Sequence, residues 1–136
     1  MMSYDEYLKY NKPGIYSISV MENGYLHLLY IGKSVNMYNR VLAHVREILK
    51  DFPAERKYQI LHNIKENGYK IKFDVVQYWN ADCGLSIEDL EQSWIDFYQP
   101  PLNTLGIADD RTIDERLADN PKLFWLLELH NGAFDL

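Results

Sequence analysis

Apolar and polar positions change their spacing several times along the chain, and each change marks an element. "GIYSISV" (14–20) and "YLHLLYIG" (25–32) are β-rich runs separated by a stretch that holds Asn23-Gly24. That pair is a strong hairpin signal because both turn positions tolerate positive φ, so an antiparallel hairpin is expected. From about Asn36 to Lys50 the apolar residues Tyr38, Val41, Leu42, Val45, Ile48 and Leu49 recur every three or four positions, which predicts a core-facing helix. Pro53 opens a second helix over about 54–67, with Tyr58, Leu61 and Ile64 inward, and Gly68 ends it.

"KIKFDVVQYW" (70–79) alternates Ile71, Phe73 and Val75 with Lys70, Lys72 and Asp74, the pattern of a third strand with one wet face. Ser86, with Asp89 three residues on, caps a helix that "QPP" stops. Asn120-Pro121 opens a last helix and Asn131-Gly132 closes it, with Leu123, Phe124, Trp125, Leu126, Leu127 and Leu129 between. The order β-β-α-α-β-α-α predicts an α+β domain: a small three-stranded antiparallel sheet flanked by helices, with an extra helix at the C-terminal end.

On a wheel of about 100° per residue, Arg40, His44 and Glu47 fall together opposite the apolar arc of the first helix, a row that usually marks a solvated surface. The helix after Ser86 carries more information. Ile87, Leu90, Trp94, Ile95, Phe97 and Tyr98 fill one arc, and Glu91 falls inside it, while Glu88, Asp89 and Asp96 lie outside. A carboxylate there needs a cation, because an unpaired buried charge costs many kcal/mol. The cation is either a metal ion or the basic side chain of Arg40 or Lys33 in a structural ion pair.

The chain has 136 residues, 47 % hydrophobic and 25 % charged, with no repeat or linker, so residues 1–136 are expected to form one domain. Such a length buries roughly two-thirds of the unfolded surface and folds without staples. Cys83, the only cysteine, has no partner in the chain and is expected to be an inert loop residue in a reducing compartment. Neither a basic-then-apolar leader nor a long apolar window appears, which predicts a soluble, cytoplasmic protein with no membrane partner. The net charge of −6 is unevenly spread: residues 1–72 hold 11 Lys+Arg against 7 Asp+Glu, a net +4, and residues 73–136 hold 3 against 13, a net −10. A nucleic-acid footprint, if present, belongs in the first half.

Several chemistries are excluded. "GKS" at 32–34 lacks the glycine a phosphate-binding loop needs five residues before Gly32, where His27 stands. One cysteine with His27, His44, His62 and His130 at no ligand spacing is too few donors for structural zinc. No Gly-x-Ser-x-Gly elbow is present, and Cys83 has no evident base.

Gly14-Ile15-Tyr16 and Tyr30-Ile31-Gly32 resemble the two signatures of the GIY-YIG nuclease family. Lys33 follows the second signature, Arg40 lies ten residues after Tyr30, and His44 is one helical turn later. "EQSWIDFYQPPLN" then runs from Glu91 to Asn103 with a spacing similar to that family's. The resemblance covers about residues 13–105 and leaves 106–136 as a helical extension. It implies an endonuclease that uses one Mg²⁺ or Mn²⁺ and leaves a 5′-phosphate and a 3′-hydroxyl. It further implies Glu91 as the metal ligand, Arg40 stabilising the phosphorane, and Tyr16 or Tyr30 as general base.

Those roles match what the chemistry demands. Phosphodiester hydrolysis needs an activated water, positive charge on the phosphate oxygens and help for the departing oxygen. A phenol has a pKa near 10, so either tyrosine needs a nearby cation to act as base, with His44 and Lys33 placed to accept or position its proton. Gly32 is expected to let substrate approach, and Asn103 to hold geometry rather than move protons. The expected partner is nucleic acid, foremost DNA. The alternatives are the same chemistry on RNA or single strands, or a non-cutting module that binds a protein partner. The C-terminal helix is expected to pack on the sheet, or else to form a homodimer seam.

Overall fold

The computed structural model describes residues 3–130. Its elements run α1 (Tyr4–Tyr10), β1 (Gly14–Glu22), β2 (Tyr25–Ser34), α2 (Met37–Ile48), α3 (Arg56–Glu66), β3 (Lys70–Tyr78), α4 (Ile87–Tyr98), α5 (Ile113–Ala118) and a 3₁₀ turn at Phe124–Glu128. The architecture is α+β, with an open antiparallel sheet in the order β2-β1-β3. The hairpin closes on Asn23 (φ 50°) and Gly24 (φ 80°), both left-handed as the sequence demands.

β1 is the central strand and is buried along 14–20 on both faces. Successive residues point to opposite faces. Ile15 joins Ile31, Ile87, Leu90 and Ile95 under α4, whereas Tyr16 joins Tyr10, Met37 and Val41 under α1 and α2. Helices therefore cover both faces. A larger cluster around Ile18, Val20 and Leu29 draws in α3, α5 and the 3₁₀ turn.

β3 keeps Lys70 and Lys72 exposed, as the alternation predicts, but its far end departs from a single wet face. Tyr16 pairs with Val75 and Ile15 with Gln77, so Val76 is an extra residue, and it packs in the α4 cluster while Val75 packs in the Tyr16 cluster. Ser86 caps α4 by accepting from the Asp89 amide at 3.0 Å, and Gln99 ends it at φ 47°. Only part of the expected apolar arc of α4 is covered: Ile87, Leu90 and Ile95 are buried, whereas Phe97 is 74 % exposed.

The ends of the chain were less legible. α1 and α5 are short helices outside the predicted order, although Thr112 and Glu115 form a reciprocal capping box that the spacing Thr-x-x-Glu encodes. α3 begins at Arg56 behind an N-cap at Glu55, two residues later than the expected start at about 54. The last helix is a short 3₁₀ turn instead of an α-helix; its expected stop at Asn131-Gly132 lies outside the described residues. Leu123 and Leu126 are buried in the main core and Trp125 lies 4.8 Å from the Tyr69 ring, so this segment packs on its own domain. Cys83 is exposed in the loop before α4. Among the described residues, no helix is long and apolar enough to cross a membrane.

Candidate active site

β1 and β2 pair so that Tyr16 faces Gly32 and Ile18 faces Tyr30. This register puts both signature tyrosines on one face of the sheet, beside α2. A cleft of about 310 Å³ opens there and collects Tyr16, Tyr30, Lys33, Arg40, Glu91 and Asn103 from β1, β2, α2, α4 and the loop after α4. Six of the eight residues singled out in the sequence thus line one cavity. The other two, Gly32 and His44, lie beneath it.

His44 corrects an expectation. It is completely buried, not on the wet side of its helix, because α2 turns Met37, Val41, His44 and Ile48 inward and leaves Leu49 exposed. A buried imidazole needs partners, and two phenols supply them: the Tyr16 hydroxyl lies 2.7 Å from Nε2 and the Tyr58 hydroxyl 2.8 Å from Nδ1. Burial, with the charges of Arg40 and Lys57, holds the His44 pKa down at about 3, so the ring is neutral.

Gly32 is also corrected. A side chain there would collide with the ring and hydroxyl of Tyr16, so the missing Cβ makes room for Tyr16 and not for a ligand. Asn103 is tied to the backbone of β2 through both ends of its carboxamide. Its Oδ1 accepts from the Ile31 amide at 2.9 Å and its Nδ2 donates to the Ile31 carbonyl at 2.8 Å, pinning its loop to β2 between Tyr30 and Gly32. The extension reinforces that loop. Arg116 of α5 donates to the Asn103 carbonyl at 2.6 Å.

Glu91 is half-buried and forms no ion pair within 4 Å with Arg40, Lys33 or any other described residue. The structural ion pair is therefore not made. Burial raises its pKa and the more distant Lys33 opposes that rise. Among the described residues, no three His, Cys, Asp or Glu side chains converge as a metal cage. A single carboxylate facing an open cleft still suits Mg²⁺, which is commonly held by one or two carboxylates while it keeps waters and takes substrate phosphate oxygens.

Both signature phenols are held up by burial, while the Arg40 guanidinium faces them and pulls each back down. Lys57 was missed. It enters the cleft from α3, with Nζ 4.7 Å over the Tyr30 ring and 5.0 Å over that of Tyr58. Burial lowers its pKa, with Glu55 at 3.7 Å opposing. The spacing of Tyr58 marks it only as core, and no local pattern marks its hydroxyl as a partner of a histidine on another helix. With Lys33, Arg40 and Lys57 against Glu91, the cleft is cationic in a chain of net charge −6.

No family model, curated protein or solved structure matches the chain.

Proposed function

We propose that this protein is a divalent-metal-dependent endonuclease that hydrolyses phosphodiester bonds of DNA, in the manner of the GIY-YIG nucleases its signatures resemble. The observation that carries the reading is the cleft itself. It joins two phenols, three cations and one unpaired carboxylate from distant parts of the chain, the residue types that phosphodiester hydrolysis calls for. All three cations belong to the basic first half of the sequence.

Arg40 and Lys57 bind and neutralise the phosphate, and Arg40 meets the extra charge that develops on the phosphorane. Glu91 holds the ion, Mg²⁺ or Mn²⁺, which when bound supplies positive charge to the phosphate oxygens. Tyr16 is the better placed base of the two tyrosines, because its hydroxyl reaches a neutral imidazole. As water attacks phosphorus, one water proton passes to the Tyr16 oxygen while the Tyr16 proton passes to His44 Nε2. The bond to the 3′ oxygen breaks, and that oxygen takes a proton from solvent, leaving 5′-phosphate and 3′-hydroxyl ends. An imidazolium at His44 is disfavoured first by burial and then by the charges of Arg40 and Lys57; an arriving phosphate anion offsets the two charges, so the proton rests on His44 only while the phosphate is in place.

The test offers labelled double-stranded DNA, single-stranded DNA and RNA to the purified protein with Mg²⁺, Mn²⁺ or EDTA. Duplex DNA cut with either ion and spared by EDTA is the expected result. If only RNA or single strands are cut, the substrate assignment falls, and if all three survive every ion, the non-cutting module takes its place.

A further inference from the structure

A neutral imidazole has one N–H donor and one lone pair, and a tyrosine hydroxyl can donate or accept. Tyr16, His44 and Tyr58 are joined through both ring nitrogens, so their protons have two self-consistent arrangements. In one, Tyr16 donates to Nε2 and Nδ1–H donates to Tyr58. In the other, Tyr58 donates to Nδ1 and Nε2–H donates to Tyr16. Only the first leaves Nε2 free to receive a proton from Tyr16.

Two features select it. Arg40 has donors only and faces the Tyr16 oxygen, so the Tyr16 lone pairs are drawn toward Arg40 and its proton toward His44. Among the described residues no carboxylate lies within ion-pair distance of the ring; its hydrogen-bond partners are Tyr16 and Tyr58, and the aromatic rings beside it are those of Tyr16, Tyr30, Tyr58 and Phe73. Tyr58 is therefore the sole hydrogen-bond acceptor among them for Nδ1–H. It comes from α3, outside the residues the family resemblance marks, and it is almost wholly buried.

We infer that Tyr58 is a positioning residue: its hydroxyl oxygen, 2.8 Å from Nδ1, holds His44 as the Nδ1–H tautomer and so keeps Nε2 open to the Tyr16 proton. This rests on the nuclease reading for its effect on rate, but the tautomer is a property of the resting protein. Tyr58→Phe keeps the ring and removes the acceptor. The imidazole then gains by moving its proton to Nε2, where the Tyr16 oxygen accepts it, and Tyr16 can no longer pass its own proton on.

The experiment is ¹⁵N NMR of the imidazole in the full chain without metal, beside steady-state cleavage of duplex DNA with Mg²⁺. The expected wild-type spectrum has Nδ1 protonated and Nε2 bare, and in Tyr58→Phe the two exchange roles. For that variant kcat falls about a hundredfold with KM unchanged, the lower end of what general acid–base catalysis contributes. A wild-type proton on Nε2, or a Tyr58→Phe variant with the parent's tautomer and kcat, overturns the inference. If no substrate is cut, the nuclease reading fails and the nitrogen signals alone still decide the role of Tyr58.

Discussion

The ring of Tyr16 occupies the space that a side chain at Gly32, its cross-strand neighbour, would fill. The same placement carries the hydroxyl to 2.7 Å from His44 Nε2. One missing Cβ thus sets the position of the proposed base. Gly32→Ala forces the ring aside in a tightly packed region, at an expected cost of about 1–3 kcal/mol. Cleavage is lost with it. Thermal melts and DNA cleavage check this, and a variant equal to wild type in both would mean that Tyr16 is free to sit elsewhere.

Glu91→Gln is expected to abolish metal-dependent cleavage without loss of metal-free stability. The sign follows from its raised pKa. The unfolded chain gives up this proton at a lower pH than the folded one, so stability falls as pH rises across that interval and stays lower above it. The amide removes that penalty. A strongly destabilised variant that still cuts DNA defeats the assignment of Glu91 as the ligand.

Arg40 is exposed on α2 and contributes little to folding, but it faces both phenols. Arg40→Ala is expected to lower turnover by about two to three orders of magnitude, as loss of one stabilising charge in a hydrolytic site does, with an unchanged melt. Full activity in the variant removes Arg40 from the site.

His44 makes stability depend on pH in a defined window. Its folded pKa of about 3 lies below the ordinary 6.5 because of burial and the facing charges of Arg40 on α2 and Lys57 on α3; Tyr16, Tyr30 and Tyr58 face it uncharged. Below pH 6.5 the unfolded chain takes up a proton that the folded one refuses, so stability falls from there down to about pH 3. Urea melts of wild type and His44→Gln across that range should show a shallower pH slope in the variant. Parallel curves would mean that His44 is already protonated in the fold.

Arg116 donates to the carbonyls of Asn103 and Arg111 from a buried position, with no carboxylate among the described residues within ion-pair distance. Arg116→Met strands the Asn103 carbonyl and should cost about 1–3 kcal/mol. Because Asn103 pins Ile31, the Ile31 amide should exchange its hydrogen faster than in wild type while β1 stays protected. Unchanged protection of Ile31 would separate the extension from the site.

Local pattern determined whatever depends on neighbours within a turn or two. Asn23-Gly24 specified the hairpin because left-handed φ is a property of those two residues, and Ser86 set the start of α4 because its hydroxyl satisfies an amide three residues on. The pairing of two short strands then placed both signature tyrosines on one face, as period two requires. Tertiary structure decided the rest. A helical wheel counts His44 as polar and turns it to water; burial became affordable only because Tyr16 and Tyr58, 28 and 14 residues away, bring a hydroxyl to each ring nitrogen. Lys57 joins the cleft and Gly32 is closed off for the same reason. The partners that settle a polar or missing side chain come from other elements, and spacing along one element carries no information about them.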